Sequence, residues 1–165
     1  MRISNNGIAV LKQLEGCVKQ NGKHVVYDDQ TGKPVAPNEP LPRGATIGYG
    51  HLILAGERFT DGISENAATS LLRADIATAE FVVQNCIIVP ITQNQFDALV
   101  IFAYNIGAKN FMESTVVKYI NDPHFHSARY PTLASAWRAW NKSGRREMSG
   151  LRRRRDAELK LFHTI

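Results

Sequence analysis

The hydrophobic period changes twice along this chain, and that change limits the fold more than any other feature. From Ser4, a suitable N-cap, the apolar residues Ile8, Leu11, Leu14 and Val18 recur every three or four positions, which is the spacing of one helical face. Between Gly22 and Leu54 the pattern shifts to short β-branched runs, Val25-Val26-Tyr27 and Thr46-Ile47-Gly48-Tyr49, separated by turn residues such as Gln30-Thr31-Gly32. From Ser64 helical spacing returns and continues to the C-terminus. Strands confined to one segment among helices give an α+β fold, mostly helical, with a small antiparallel sheet.

Local signals refine this outline. Four of the seven prolines fall within Lys33 to Gly44, which is therefore an extended surface loop. Ala68, Leu71, Leu72, Ile76, Ala79 and Val83 predict one helix of about five turns over 64–84. Thr92-Gln93-Asn94-Gln95 is a capping box, and Phe96, Leu99, Val100 and Ala103 follow it on a central buried helix that Gly107 ends. Ser114 or Thr115 begins a short helix stopped by Pro123. Thr132 caps another bearing Leu133, Ala136, Trp137 and Trp140, with both tryptophans expected in the core, and the last helix runs from Leu151 to about Phe162. The expected organisation is one domain, 1–165, with a small β-containing lobe at 15–63, a helical lobe of 1–14 with 85–165, and the helix 64–84 connecting them.

At 165 residues and 44% hydrophobic content, the chain buries about two-thirds of its unfolded surface without staples and is expected to work as a monomer. Its net charge of +5 favours an anionic partner, whether nucleic acid, anionic lipid or acidic wall polymer. Met1 to Gln20 is interrupted by Arg2, Lys12, Glu15 and Lys19, so no secretion signal is expected, and no stretch reaches the roughly 18 apolar residues of a membrane helix. Synthesis in the cytoplasm follows, with Cys17 and Cys86 as free, largely buried thiols. Neither cysteine has ligand spacing, and His124-Phe125-His126 reads as a surface turn, so no metal is expected.

Hydrolysis of a glycosidic bond needs one protonated carboxyl for the leaving oxygen and one ionised carboxylate to direct a nucleophile. Glu15 closes the first helix beside Gly16, and Asp29 falls in the first hairpin, with Thr46 on the next strand. A helix-end acid facing a sheet-borne carboxylate suits that chemistry. Among 15 acidic residues, however, such a pair also arises by chance on a solvated face.

Leu14-Glu15-Gly16, Tyr27-Asp28-Asp29 and Thr46-Ile47-Gly48-Tyr49-Gly50-His51, in that order, resemble the signature of the T-even phage lysozymes, glycoside hydrolase family 24. Gln95-Phe96-Asp97-Ala98-Leu99 and Phe102-Ala103-Tyr104-Asn105-Ile106-Gly107, with Phe111 and Ser114-Thr115, resemble that family's central helix and following turn. Trp137, Trp140, Gly150-Leu151, Arg153-Arg154 and Glu158 resemble its C-terminal segment. The likeness covers most of the chain. It implies a lysozyme-like α+β fold and an endolysin that hydrolyses, with inversion, the β-1,4 bond between N-acetylmuramic acid and N-acetylglucosamine in peptidoglycan.

The resemblance also implies roles. Glu15 would be the general acid, Asp29 would position and activate water, and Thr46 would help hold it. Asp28 stays open as the alternative to Asp29, since only one of two neighbours faces a given side of a strand. Leu52, Tyr104, Asn105 and Ser114 match sugar-contacting positions, though each also fits packing or capping. His51 titrates near neutrality and stands close to Thr46, as a catalytic group would. Asp75, however, matches a family residue that pairs with this histidine, which favours a structural ion pair. The intervals from Glu15 to Asp29 and from Asp29 to Thr46 exceed those of shorter members, the second through the proline-rich insertion 33–45.

Arg145, Arg146 and Arg152 to Arg155 concentrate charge near the C-terminus, which raises a nucleic-acid-binding reading. No helix-turn-helix or zinc-finger pattern accompanies them, and the family itself ends in a basic segment. The patch is therefore expected to meet anionic outer-envelope polymers, with peptidoglycan strands as substrate and no nucleic acid, membrane insertion or cofactor. The family resemblance further implies action on the periplasmic wall after release through a phage-encoded holin.

Overall fold

The computed structural model describes residues 1–144 and 146–165; Arg145, counted above in the basic run, lies outside the described residues. The chain divides into two compact units, Val10–Ile76 and a second made of Met1–Ala9 with Ala77–Ile165. Strands are short and antiparallel and helices make up most of the rest, so the architecture is α+β as expected.

Helix α1 (Asn5–Glu15) begins at Ser4, whose hydroxyl accepts the Gly7 amide at 3.0 Å. It ends at Gly16, which lies in the left-handed region at φ 68° and donates its amide to the Lys12 carbonyl at 3.0 Å. Glycine takes that conformation without strain, and the helix therefore stops directly after Glu15.

In Val10–Ile76 a hairpin follows that the periodicity did not announce, β1 (Lys19–Gln20) with β2 (Lys23–His24). The principal sheet is β3 (Tyr27–Asp28), β4 (Ala45–Ile47) and β5 (His51–Leu52), with β4 central. Thr46 lies opposite Tyr27 on one side and Leu52 on the other. Val25 and Val26, expected in a strand, precede it. The Val26 carbonyl instead accepts the Val35 amide at 2.9 Å, and the Val26 side chain joins Ala45 and Ile47 in a core covered by Val35, Ile53, Phe59, Ile63 and Leu71. Ile47 is fully buried, so truncating it to alanine costs roughly 2–5 kcal/mol. Apart from a single bridge between Tyr27 and Pro34, the proline-rich segment has no regular structure.

The single helix expected over 64–84 is corrected to two, α2 (Glu65–Asp75), capped by the Ser64 hydroxyl, and α3 (Ala77–Cys86). They divide at Ile76, where ψ is −6° and the side chain is fully buried. Packing outweighs helix propensity there, since neither glycine nor proline marks the break. The chain passes from one unit to the other just after this residue, as it also does after Ala9.

The second unit is organised around α4 (Gln93–Ile106), whose residues Phe96 to Ala103 are all buried. The Thr92/Gln95 capping box is present, and Gly107 ends the helix as expected. Helix α5 (Ala108–Glu113), unforeseen, precedes α6 (Thr115–Asn121) and α7 (Leu133–Arg138), capped by Ser114 and Thr132. A small hairpin, β6 (Lys142–Ser143) with β7 (Arg146–Glu147), leads to α8 (Ser149–Phe162), which packs on α4. Trp137 is fully buried against Phe102, while Trp140 lies past the end of α7 and is half-buried. The N-terminus is tied in by Glu80, which accepts the Ile3 amide at 2.7 Å, and by Asp97, which accepts the Ser4 amide at 2.9 Å. Both cysteines are free, but the expectation of burial is corrected: Cys17, beyond the end of α1 and off its apolar face, is exposed, and Cys86 is half-buried.

Candidate active site

Glu15 is the last residue of α1 and is half-buried. Its Oε2 stands 3.9 Å from the point a Cβ on Gly50 would occupy. Gly50 has φ 90°, so the turn between β4 and β5 brings bare backbone to the carboxylate, and any side chain at this position would be strained. The glycines of the Thr46 to His51 motif thus have a local cause.

Thr46 occupies the middle of β4, leads into that turn and is 5% exposed. Its hydroxyl donates to the Tyr27 carbonyl on the neighbouring strand at 3.5 Å. The two adjacent aspartates have different surroundings. Asp28, at the end of β3, accepts from the Gln30 amide at 2.9 Å and the Thr31 hydroxyl at 3.1 Å, closing the turn with its side chain. Asp29 stands exposed in that turn, and its carboxylate joins no ion pair among the described residues. Glu15, Asp29 and Thr46 all belong to Val10–Ile76.

Four side chains converge on Glu65, the first residue of α2. Lys12 Nζ donates at 2.8 Å, Lys19 Nζ at 2.9 Å and the Tyr49 hydroxyl at 2.6 Å, and His24 Nε2 lies 2.8 Å away. These bonds, that from Lys12 foremost, hold the Glu65 carboxyl far below the usual range. Burial, and then the bond to Glu65, push the Tyr49 hydroxyl well up. His24 is fully buried, edge-on to Tyr49. Sequence reasoning missed this hub because its members are scattered from residue 12 to residue 65. The only local signal was an acidic residue after the Ser64 cap.

His51, 9% exposed, lies on β5 with Nδ1 2.9 Å from Asp75 and Nε2 3.1 Å from Glu57. Burial opposes the charged ring, but the two carboxylates outweigh it and raise the pKa above the ordinary value. The pairing with Asp75 was expected; Glu57 was not.

Leu52 is exposed and pairs across the sheet with Thr46. In the second unit, Tyr104 is half-buried near the end of α4, and the adjacent Asn105 is exposed and accepts from Arg155 Nη2. Ser114 is 3% exposed and spends its hydroxyl on the Val117 amide.

The basic C-terminal patch is corrected. Arg154 and Arg155 are buried within the second unit, both against Glu158, at 3.3 and 3.2 Å, while Trp137 Nε1 donates to the other Glu158 oxygen at 2.8 Å. Arg155 also lies 5.0 Å from the Phe102 ring centre. Burial pushes the Arg155 guanidinium down to about 10 and the Glu158 carboxyl up, each against the pull of the other. Of the run from 152 to 155, only Arg152 and Arg153 face solvent. Among the described residues no cluster of His, Cys, Asp and Glu is arranged to hold a metal, and no helix is long and apolar enough to cross a membrane.

The phage lysozyme family model matches residues 12–158. The endolysin of Bacillus phage B103 is 38% identical over 99% of this chain, which spans 55% of that protein's length. The endolysin of Salmonella phage P22 is 34% identical over 88% of this chain and 87% of its own. Among solved structures, the muramidase domain of SpmX from Asticaccaulis excentricus superposes with a TM-score of 0.73 at 31% identity, covering 99% of both chains. A variant of P22 lysozyme gives the same TM-score at 30% identity and the same coverage.

Proposed function

Because the chain belongs to the phage lysozyme family, we propose that it hydrolyses the β-1,4 bond between N-acetylmuramic acid and N-acetylglucosamine in bacterial peptidoglycan. Glu15 protonates the leaving oxygen, while Asp29 and Thr46 position the attacking water. The observation that carries the reading is the seat of Glu15: a half-buried carboxyl at a helix end, beside the Gly50 turn of the strand pair that bears Thr46. An acid placed in this way is presented from the end of a helix at a defined position, as proton delivery requires.

In the inverting course the second carboxylate works through water, which needs about 6.5–9.5 Å between carboxyl groups. Asp29 suits that part because Asp28 is already committed to the turn. Leu52, Tyr104 and Asn105 are the sugar contacts; Ser114 is left out because its hydroxyl caps α6. The nucleic-acid reading loses its main support with the burial of Arg154 and Arg155. Arg152 and Arg153 remain to meet anionic wall polymers. The enzyme acts as a monomer on the cell wall, made in the cytoplasm and released through a holin pore, without cofactor or metal.

Lysis of outer-membrane-stripped Gram-negative cells, followed by turbidity, tests the reading. Wild type clears the suspension, and Glu15→Gln, which keeps the shape but has no proton to give, loses at least about a hundredfold in rate. A Glu15→Gln rate within about tenfold of wild type would remove Glu15 from the acid role.

A further inference from the structure

Arg155 is fully buried on α8, yet one of its nitrogens is bonded to an exposed residue. The guanidinium lies over the Phe102 ring, 5.0 Å from its centre, and Nη2 meets both Glu158 Oε1, at 3.2 Å, and Asn105 Oδ1. Phe102 and Asn105 are three positions apart on α4, so they share a face and one guanidinium reaches both. Nε and Nη1 have no hydrogen-bond partner among the described residues, which leaves the ring, Glu158 and Asn105 to set the plane of the group.

An arginine carries only donors, whereas an asparagine amide carries one oxygen and one NH2. The atom of Asn105 that meets Arg155 must therefore be the oxygen. Its NH2 has no partner among the described residues, and the side chain is exposed, so the NH2 is what Asn105 has to offer a ligand.

We propose that Arg155 is a positioning residue that fixes Asn105 as a hydrogen-bond donor, and that the group it selects on the glycan is the carbonyl oxygen of an acetamido group. A hydroxyl donates as readily as it accepts and needs no fixed amide; a carbonyl only accepts. Both sugars of the bond named above carry such a carbonyl. An N-deacetylated sugar carries an ammonium instead, which has only donors, and Asn105 would meet it donor to donor. The proposal rests on the chain cleaving peptidoglycan with Asn105 at the sugar.

The test measures kcat and KM for the release of reducing ends from solubilised peptidoglycan, native and enzymatically N-deacetylated. Asn105→Asp keeps one oxygen for Arg155 and turns the other outward, an acceptor in place of the donor. On native glycan its KM is expected to rise about tenfold with kcat within about twofold, while on N-deacetylated glycan its KM falls to that of wild type or below. A purely structural defect would raise KM on both alike. Lys160→Gln changes the net charge by the same amount at an exposed position and should leave the preference of wild type in place. Arg155→Lys keeps a cation beside Glu158 but lacks the planar fork, so the amide turns freely and the preference for native glycan narrows about threefold.

Should Arg155→Lys fail to fold, nitrogen-15 relaxation of the side-chain amides in wild type reads the fixing without any substrate. The Asn105 NH2 is expected to be markedly more restricted than that of Asn38, which is exposed in the proline-rich segment. Equal mobility of the two overturns the role of Arg155. No exchange of preference in Asn105→Asp, or one that Lys160→Gln reproduces, overturns the proposal while wild type still cleaves native glycan. A wild type that leaves native glycan intact would sink the hydrolase reading itself, and the proposal with it.

Discussion

His51 Nδ1 stands 2.9 Å from Asp75 Oδ1 while its Nε2 stands 3.1 Å from Glu57 Oε2, so both ring nitrogens face carboxylates. The two carboxylates favour the charged ring, which joins β5 to the end of α2, and they raise its pKa against the opposing effect of burial. A raised value means that its stabilisation is fully present below the unfolded pKa of about 6.5 and is lost as pH climbs through the folded one. His51→Asn is expected to cost about 1–2 kcal/mol near pH 5.5, allowing for the partial exposure of both carboxylates, and much less at alkaline pH. Denaturant melts at the two pH values check this. A mutant as stable as wild type in mild acid, yet without lytic activity, would move His51 into the reaction instead.

Asp28 and Asp29 are separable by one substitution each. An asparagine at 28 keeps an oxygen for the Gln30 amide, so Asp28→Asn should fold and lyse within about twofold of wild type. Asp29→Asn should fall about a hundredfold, since an amide does not activate water. If turbidity assays rank the two the other way, the water belongs to Asp28.

Glu158 is the shared partner of two buried arginines and receives the Trp137 indole, so its loss strands charge inside the second unit. Glu158→Gln is expected to cost about 3–5 kcal/mol, the range for breaking a buried pair by removing one partner. Urea unfolding measures it. A cost below about 1 kcal/mol would mean that Arg154 and Arg155 reach water once released.

Helix beginnings were legible in the sequence because capping is local chemistry: Ser4, Ser64, Thr92 and Thr132 each act within three residues of themselves. The placing of Glu15 at the end of α1 was legible for the same reason, since Gly16 stops the helix. What escaped depends on distant parts of the chain. The Ile76 break answers a packing demand, and the Glu65 hub joins residues up to 53 positions apart. The arginine run misled because four cations in a row look solvated. Leu151, Arg154, Arg155 and Glu158 in fact share one helical face with Phe162, so the inward turn was written in the spacing.

The two units differ in how their chain is routed. Val10–Ile76 is an unbroken stretch, whereas the other closes Met1–Ala9 onto residues beyond Ala77, through bonds such as Ile3 to Glu80 and Ser4 to Asp97. A ribosome delivers the N-terminus first, so those nine residues wait for partners still to be made, while Val10–Ile76 already has all of its own. Birth order therefore separates the two halves of the proposed task. The proposed reacting groups Glu15, Asp29 and Thr46 belong to the part that is complete early, and Tyr104 and Asn105 to the part that closes only when α8 has emerged. A product cut short before that helix would contain the proposed reacting groups, while the unit that bears Tyr104 and Asn105 stayed unfinished.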